Sequence, residues 1–208
     1  MIKASLLIFA PGLTWDRIAR AQRGPGFVLA IYLVPLLALG SVAQAFRLVH
    51  WGVLQGEVAH RRPFAVGETV VFEATQFLLS LLVVFVGAWL VKSLGETFHG
   101  RHNYAQTFTA VAYSLGPLFL FRLLDAVKDF SPWLSWGIGF LLCVRVLYHG
   151  VPRVMQPDPP HAFGLFVMST FLLLLTTGLA ELVTACYLQG KFAKLEAIIS
   201  GLAAQLPF

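Results

Sequence analysis

Residues 112–125 read AYSLGPLFLFRLLD. The stretch is apolar enough for lipid, yet Gly116 and Pro117 interrupt it and Arg122 and Asp125 charge its end. Proline inside a helix removes a backbone donor and clashes with the preceding turn, so a kink is expected at Pro117. Ser114 and Gly116 let a neighbouring helix come close at that kink. The carbonyl freed there needs a partner within the protein, because lipid offers none. The stretch predicts a broken membrane helix at the centre of a bundle. The competing reading is a packing kink whose end charges reach the headgroups.

Composition agrees with lipid as the solvent. The 208 residues are 58% hydrophobic and 12% charged, with a mean hydropathy of +0.76. A soluble domain carries about twice that charged fraction. The excess apolar surface makes this an all-α, polytopic membrane protein. Cys143 and Cys186 fall in separate apolar segments, so neither a zinc site nor a disulfide framework is expected.

Five segments suffice to cross a hydrocarbon core that needs about 20 helical residues. They run over 27–49, 70–91, 104–124, 132–151 and 162–187, separated by stretches with glycine, proline or clustered charge. The division is an N-terminal interfacial segment (1–26), a five-helix transmembrane domain (27–190) and a C-terminal tail (191–208). The apolar run 4–10 is too short for a signal peptide and stops at Pro11-Gly12. At 100° per residue, Asp16, Arg17, Arg20 and Arg23 share one arc, with Trp15, Ile18, Ala19 and Gln22 opposite. That pattern predicts a short amphipathic helix in the headgroup layer with Trp15 at the boundary. The competing reading is a solvated turn leading into the first span.

Five spans put the termini on opposite faces. The near, N-terminal face holds Lys3, Arg17, Arg20, Arg23, Lys92, Arg101, Arg145 and Arg153. The far face holds Arg47, Arg61, Arg62, Arg122, Lys128, Lys191 and Lys194, so the balance is nearly even. The four basic residues ahead of the first span favour a cytoplasmic N-terminus. Depth follows without that choice. Arg47, Glu73, Arg122, Asp125 and Glu181 lie in the far half of the bilayer, Lys92, Arg145 and His149 in the near half. Ionisable groups in a span face protein or water. Arg122 is therefore expected to pair with Glu73, Glu181 or both inside the bundle, while Arg145 snorkels to the near headgroups.

Chemistry has little else to stand on. His99 and His102 stand three apart, a spacing that suits a metal half-site on a helix, but Gly100 between them favours a loop and no third ligand follows. No metal or other cofactor is expected. No nucleophile elbow or phosphate-binding loop is present, so no catalytic residue is assigned. The basic near face, with Arg17, Arg20 and Arg23, suits anionic lipid or an acidic partner surface. No nucleic-acid partner is expected.

The segments FHGRHNYAQTFTAVAYSLGP at 98–117 and VRVLYHGVPRVM at 144–155 resemble the Yip family of integral membrane proteins, which interact with Ypt/Rab GTPases. The matching positions are Gly100, Ala112, Tyr113, Ser114, Pro117, Tyr148 and Gly150. The resemblance implies a five-helix bundle with a cytoplasmic N-terminus, and the compact length is similar to the bacterial branch, hence a cell inner membrane. Eukaryotic members act in vesicle trafficking; residues 1–26 lack their Asp-Leu-Tyr-Gly-Pro motif, so GTPase binding does not carry over. The expectation is a non-enzymatic protein that organises membrane or partner proteins, with a homo-oligomer or other membrane proteins as partners. The alternative is a small transporter or channel built on Glu73, Arg122 and Glu181.

Overall fold

The computed structural model describes residues 2–55, 60–98, 102–128, 130–192 and 201. Five helical stretches are long and apolar enough to cross a membrane. They are Pro25–His50, Val66–Thr97, Tyr104–Ala126, Pro132–Val154 and Pro159–Leu188, numbered here as the first to fifth spans. The chain is an all-α polytopic membrane protein.

The third span is the axis. In its apolar window 72% of residues are buried, against 22% in the second and fifth spans. It begins with a capping box. Asn103 Oδ1 accepts from the Gln106 N–H and the Asn103 N–H donates to Gln106 Oε1, both at 2.9 Å. The helix then stops at Ser114, resumes over Gly116–Phe121 and tightens into a 3₁₀ turn at Arg122–Ala126. The break falls where Gly116-Pro117 predicts it. Gly116 sits directly under the Tyr32 hydroxyl of the first span, where a Cβ would collide with it. Tyr32 itself lies in a π-helical stretch, Leu29–Leu33, just ahead of Pro35. A wider turn absorbs the clash that proline imposes on the residue four back. A second π stretch, Val151–Met155, accommodates Pro152 at the end of the fourth span.

The second and fifth spans pack along one side and are tied by Gln76 Nε2 donating to Thr184 Oγ1 at 2.7 Å. On the far face Val53–Gln55 (β1) and His60–Arg62 (β2) pair as an antiparallel ribbon. Phe64 beyond it joins Leu48, Phe72, Tyr187 and Leu188 in a small satellite core. The sequence alone reads 50–69 as loop; three-residue strands are too short to leave a periodic signal.

Residues 2–21 hold two helices where the sequence predicts one. Helix α1, Ile2–Phe9, packs on Gly116–Phe121 and on the fourth span, with Ala4 and Leu7 fully buried. Helix α2, Pro11–Ala21, is the amphipathic one. The tail at 191–208 lies outside the described residues except for 191, 192 and 201.

Candidate functional site

Two regions gather the polar chemistry, one on each face. On the near face α2 is held by its tryptophan. Trp15 is fully buried and Nε1 donates to the Val146 carbonyl at 2.9 Å. Its ring meets Tyr113 edge-on at 6.1 Å and covers Gly150, where a Cβ would come within 2.6 Å of the indole. Tyr113 in turn stacks at a tilt on Tyr32, 4.3 Å between centroids. Trp15 therefore lies in the bundle, not at the headgroup boundary that the amphipathic pattern suggests. A glycine at 150 leaves a slot that an indole fills, and its one polar atom is satisfied there. Asp16 pairs with Arg153 at 2.9 Å and fixes the other side of α2.

Arg17, Arg20 and Arg23 point outward and are exposed. None forms an ion pair with a carboxylate among the described residues. Arg20 Nε caps the Asp16 carbonyl at 3.2 Å and Arg23 lies over the Phe27 ring at 4.1 Å. Arg17 and Arg23 also border a cleft of ≈ 240 Å³ between α2 and the third span, with Thr14, Ile18, Thr109 and Tyr113.

The near-face histidines are not brought together. His99, Gly100 and Arg101 lie outside the described residues. His102 is wedged against Gly95 at the end of the second span, with its ring beside the backbone of Lys92 and Met155. Burial holds its imidazole below the usual histidine value. Among the described residues no three His, Cys, Asp or Glu are placed to hold a metal ion. Arg145 is exposed, and the backbone carbonyl of His149 accepts from Arg153 Nη1 at 3.0 Å.

The far half is organised around Arg122, but not through the expected ion pair. Arg122 Nη1 donates to Ser80 Oγ at 3.2 Å and Nη2 donates to Gln44 Oε1. Neither Glu73 nor Glu181 comes within ion-pair distance of it. The reason is local. The 3₁₀ turn Arg122–Ala126 faces the C-terminal half of the first span, which carries the guanidinium toward Gln44. Glu73 is 7% exposed and lies beside the Ser41 hydroxyl, and Asp125 is 6% exposed beside that of Ser135. Gln44 and Ser80 were not singled out from sequence. The available signal was their polarity at the depth of Arg122.

Arg122, Asp125 and Glu181 line a pair of continuous clefts. An inner one of ≈ 50 Å³ reaches Gln76, Leu79 and Trp136, and an outer one of ≈ 150 Å³ reaches Gln44, Arg47 and Gln189. A third, ≈ 260 Å³, continues from Arg47 to Arg61 and Lys128 on the far face. The result is a funnel, wide and basic at its mouth, narrow and acidic at its tip. Glu73 does not line it.

No curated protein and no solved structure matches the chain. A family model, that of the Yip1 domain, matches residues 5–180, which takes in the latter part of α1, α2 and all five spans but the end of the last. Tyr113, Gly150 and Pro117, which carried the resemblance in the sequence, are the residues that seat Trp15 and break the third span, and the chain belongs to the Yip1 domain family.

Proposed function

We propose that this protein is a non-enzymatic membrane component that organises membrane or partner proteins through its near face. One observation carries the reading. Helix α2 is clamped to the bundle by Trp15 and by the Asp16–Arg153 pair, and it presents Arg17, Arg20 and Arg23 outward with no carboxylate among the described residues to neutralise them. Three exposed guanidiniums on a clamped helix and the turn after it, none in an ion pair with a carboxylate among the described residues, suit anionic lipid or an acidic protein surface. The same arginines favour the near face as the cytoplasmic one, in a cell inner membrane.

Each basic side chain at an anionic surface contributes about 1 kcal/mol. Neutralising all three, as Arg17→Gln, Arg20→Gln and Arg23→Gln, is expected to weaken retention of phosphatidylglycerol by about a hundredfold, read by native mass spectrometry of protein released from nanodiscs. Retention equal to the parent's would refute the reading.

The far-half funnel favours a second reading, a transporter or channel using Glu73, Arg122 and Glu181. A liposome flux assay decides it, through substrate flux that Glu73→Gln abolishes. The near half of the third span, packed with Phe108, Val111, Tyr113 and Leu115, supports binding in the funnel over passage through it.

A further inference from the structure

The near face carries a cleft as well as a charge. Two hollows meet between α2 and the third span, one of ≈ 240 Å³ and one of ≈ 210 Å³, and Ile18, Arg23 and Thr109 line both. Arg17 borders the first and Arg153 the second, so three guanidiniums and no carboxylate line the pair. Asp16 pairs with Arg153 at 2.9 Å, which leaves Arg17 and Arg23 as the net charge. The other near-half carboxylates among the described residues are Glu96, held by Lys92 at 2.7 Å, and Asp158, and neither lines a hollow. Arg20 stands on the same helix and lines neither hollow.

The neutral polar groups narrow the choice of anion. The Thr109 hydroxyl already donates to the Ala105 carbonyl at 2.8 Å, so toward a ligand it can only accept, and the ligand must bring the proton. Asn103 and Gln106 use their side-chain oxygens in the capping box, which leaves their amide N–H groups as donors to a ligand oxygen. Both line the second hollow, at the positive end of the third span's helix dipole. An oxyanion to meet two guanidiniums, joined to hydroxyls that donate and accept, is the chemistry of a polyol phosphate. An ammonium finds no carboxylate in the lining. Leu6 and Ile18 give the first hollow an apolar wall for a chain attached to such a group. We propose that the cleft binds a glycerophosphate group, its phosphate at Arg17 and Arg23 and its hydroxyls at Thr109 and the amides of Asn103 and Gln106. The group comes either as the headgroup of a near-leaflet phosphatidylglycerol or as free glycerol phosphate. The inference rests on the near-face reading and deepens it, adding headgroup selectivity to attraction by charge.

The full chain is reconstituted in nanodiscs containing phosphatidylglycerol, phosphatidylserine and phosphatidylcholine of matched acyl chains, and the lipids retained on release are compared by native mass spectrometry. The glycerol and serine lipids carry the same net charge, so attraction by charge alone retains them equally. The cleft is expected to retain the glycerol lipid about tenfold over the serine lipid. Arg23→Gln should bring that ratio close to one, whereas Arg20→Gln lowers both anionic lipids alike and keeps the ratio. Gly24→Trp keeps every charge; a Cβ there meets nothing within 4 Å, so the indole adds its bulk to the second hollow without strain and should also remove the ratio. In a second arm, glycerol phosphate is titrated against protein in phosphatidylcholine nanodiscs. A rise in unfolding temperature that Arg23→Gln abolishes assigns the site to the soluble ester; lipid selectivity without that rise assigns it to the headgroup. Equal retention of the two anionic lipids, with no response to glycerol phosphate, overturns the proposal, and so does a selectivity that Arg23→Gln leaves at the parent ratio. Either result leaves the near-face reading standing where the triple glutamine variant still loses phosphatidylglycerol, so the two failures are told apart. The lipid comparison on the parent protein requires no variant to fold.

Discussion

The seat of α2 on the near face and the funnel in the far half are built on opposite principles. In the seat, size complementarity decides. An indole fills the slot over Gly150, its N–H reaches Val146, and the charges that remain point away from the bundle or pair at its rim. In the funnel, charge decides. Arg122 is satisfied by two neutral side chains, while Glu73 and Asp125 are carboxylates buried without an ion-pair partner. Filling a slot with a satisfied indole adds to stability, whereas burying carboxylates subtracts from it.

Substitutions should separate the two halves. The largest effect is expected from Trp15→Ala, about 3–5 kcal/mol lost by emptying a fully buried site. Thermal unfolding in detergent should register it, and an unfolding temperature equal to the parent's would place Trp15 outside the bundle. Gly150→Val is next, at about 1–3 kcal/mol, because the new side chain overlaps the indole. A double-mutant cycle with Trp15→Phe should show non-additivity, and simple additivity would place Gly150 outside the seat.

Arg122→Ala strands Gln44 Oε1 and removes the donor to Ser80 Oγ, for an expected loss of about 1–3 kcal/mol. An Arg122→Ala protein that unfolds at the parent temperature would show that the funnel contributes nothing to folding. Asn103→Ala removes the cap of the third span and should cost about 1 kcal/mol by the same measurement. The smallest effect concerns acid. Burial depresses the His102 pKa, so the folded state prefers the neutral ring and the unfolded state binds the proton first. That contribution is complete above the ordinary histidine pKa of about 6.5 and declines as pH falls below it. His102→Gln should flatten the acid limb of the stability profile; an unchanged limb would assign the acid loss to other groups.

Hydropathy made the spans and the break at Gly116-Pro117 legible, and counting residues from each face placed Arg122, Asp125 and Glu181 at one depth. It did not give direction around the helix. In lipid both the packed and the solvent faces are apolar, so the periodicity that orients a helix in water is lost. Arg122 therefore looked free to reach a carboxylate, when its turn aims it at Gln44 and Ser80. On α2 the arc of Trp15, Ile18, Ala19 and Gln22 is inner only in part: Trp15 and Ile18 pack on the core, while Gln22 is exposed. What the arc could not supply was the partner, which is a backbone carbonyl far along the chain.

The bond from Trp15 to Val146 spans 131 residues. A ribosome adding about 5–20 residues per second delivers that carbonyl some 7–26 seconds after the indole emerges. During the wait α1 and α2 have no slot to enter, and the first span must insert without them. The N-terminal hairpin is thus among the first segments made and among the last to dock. A bulky fusion ahead of residue 2 should be tolerated during insertion and felt only at that final step.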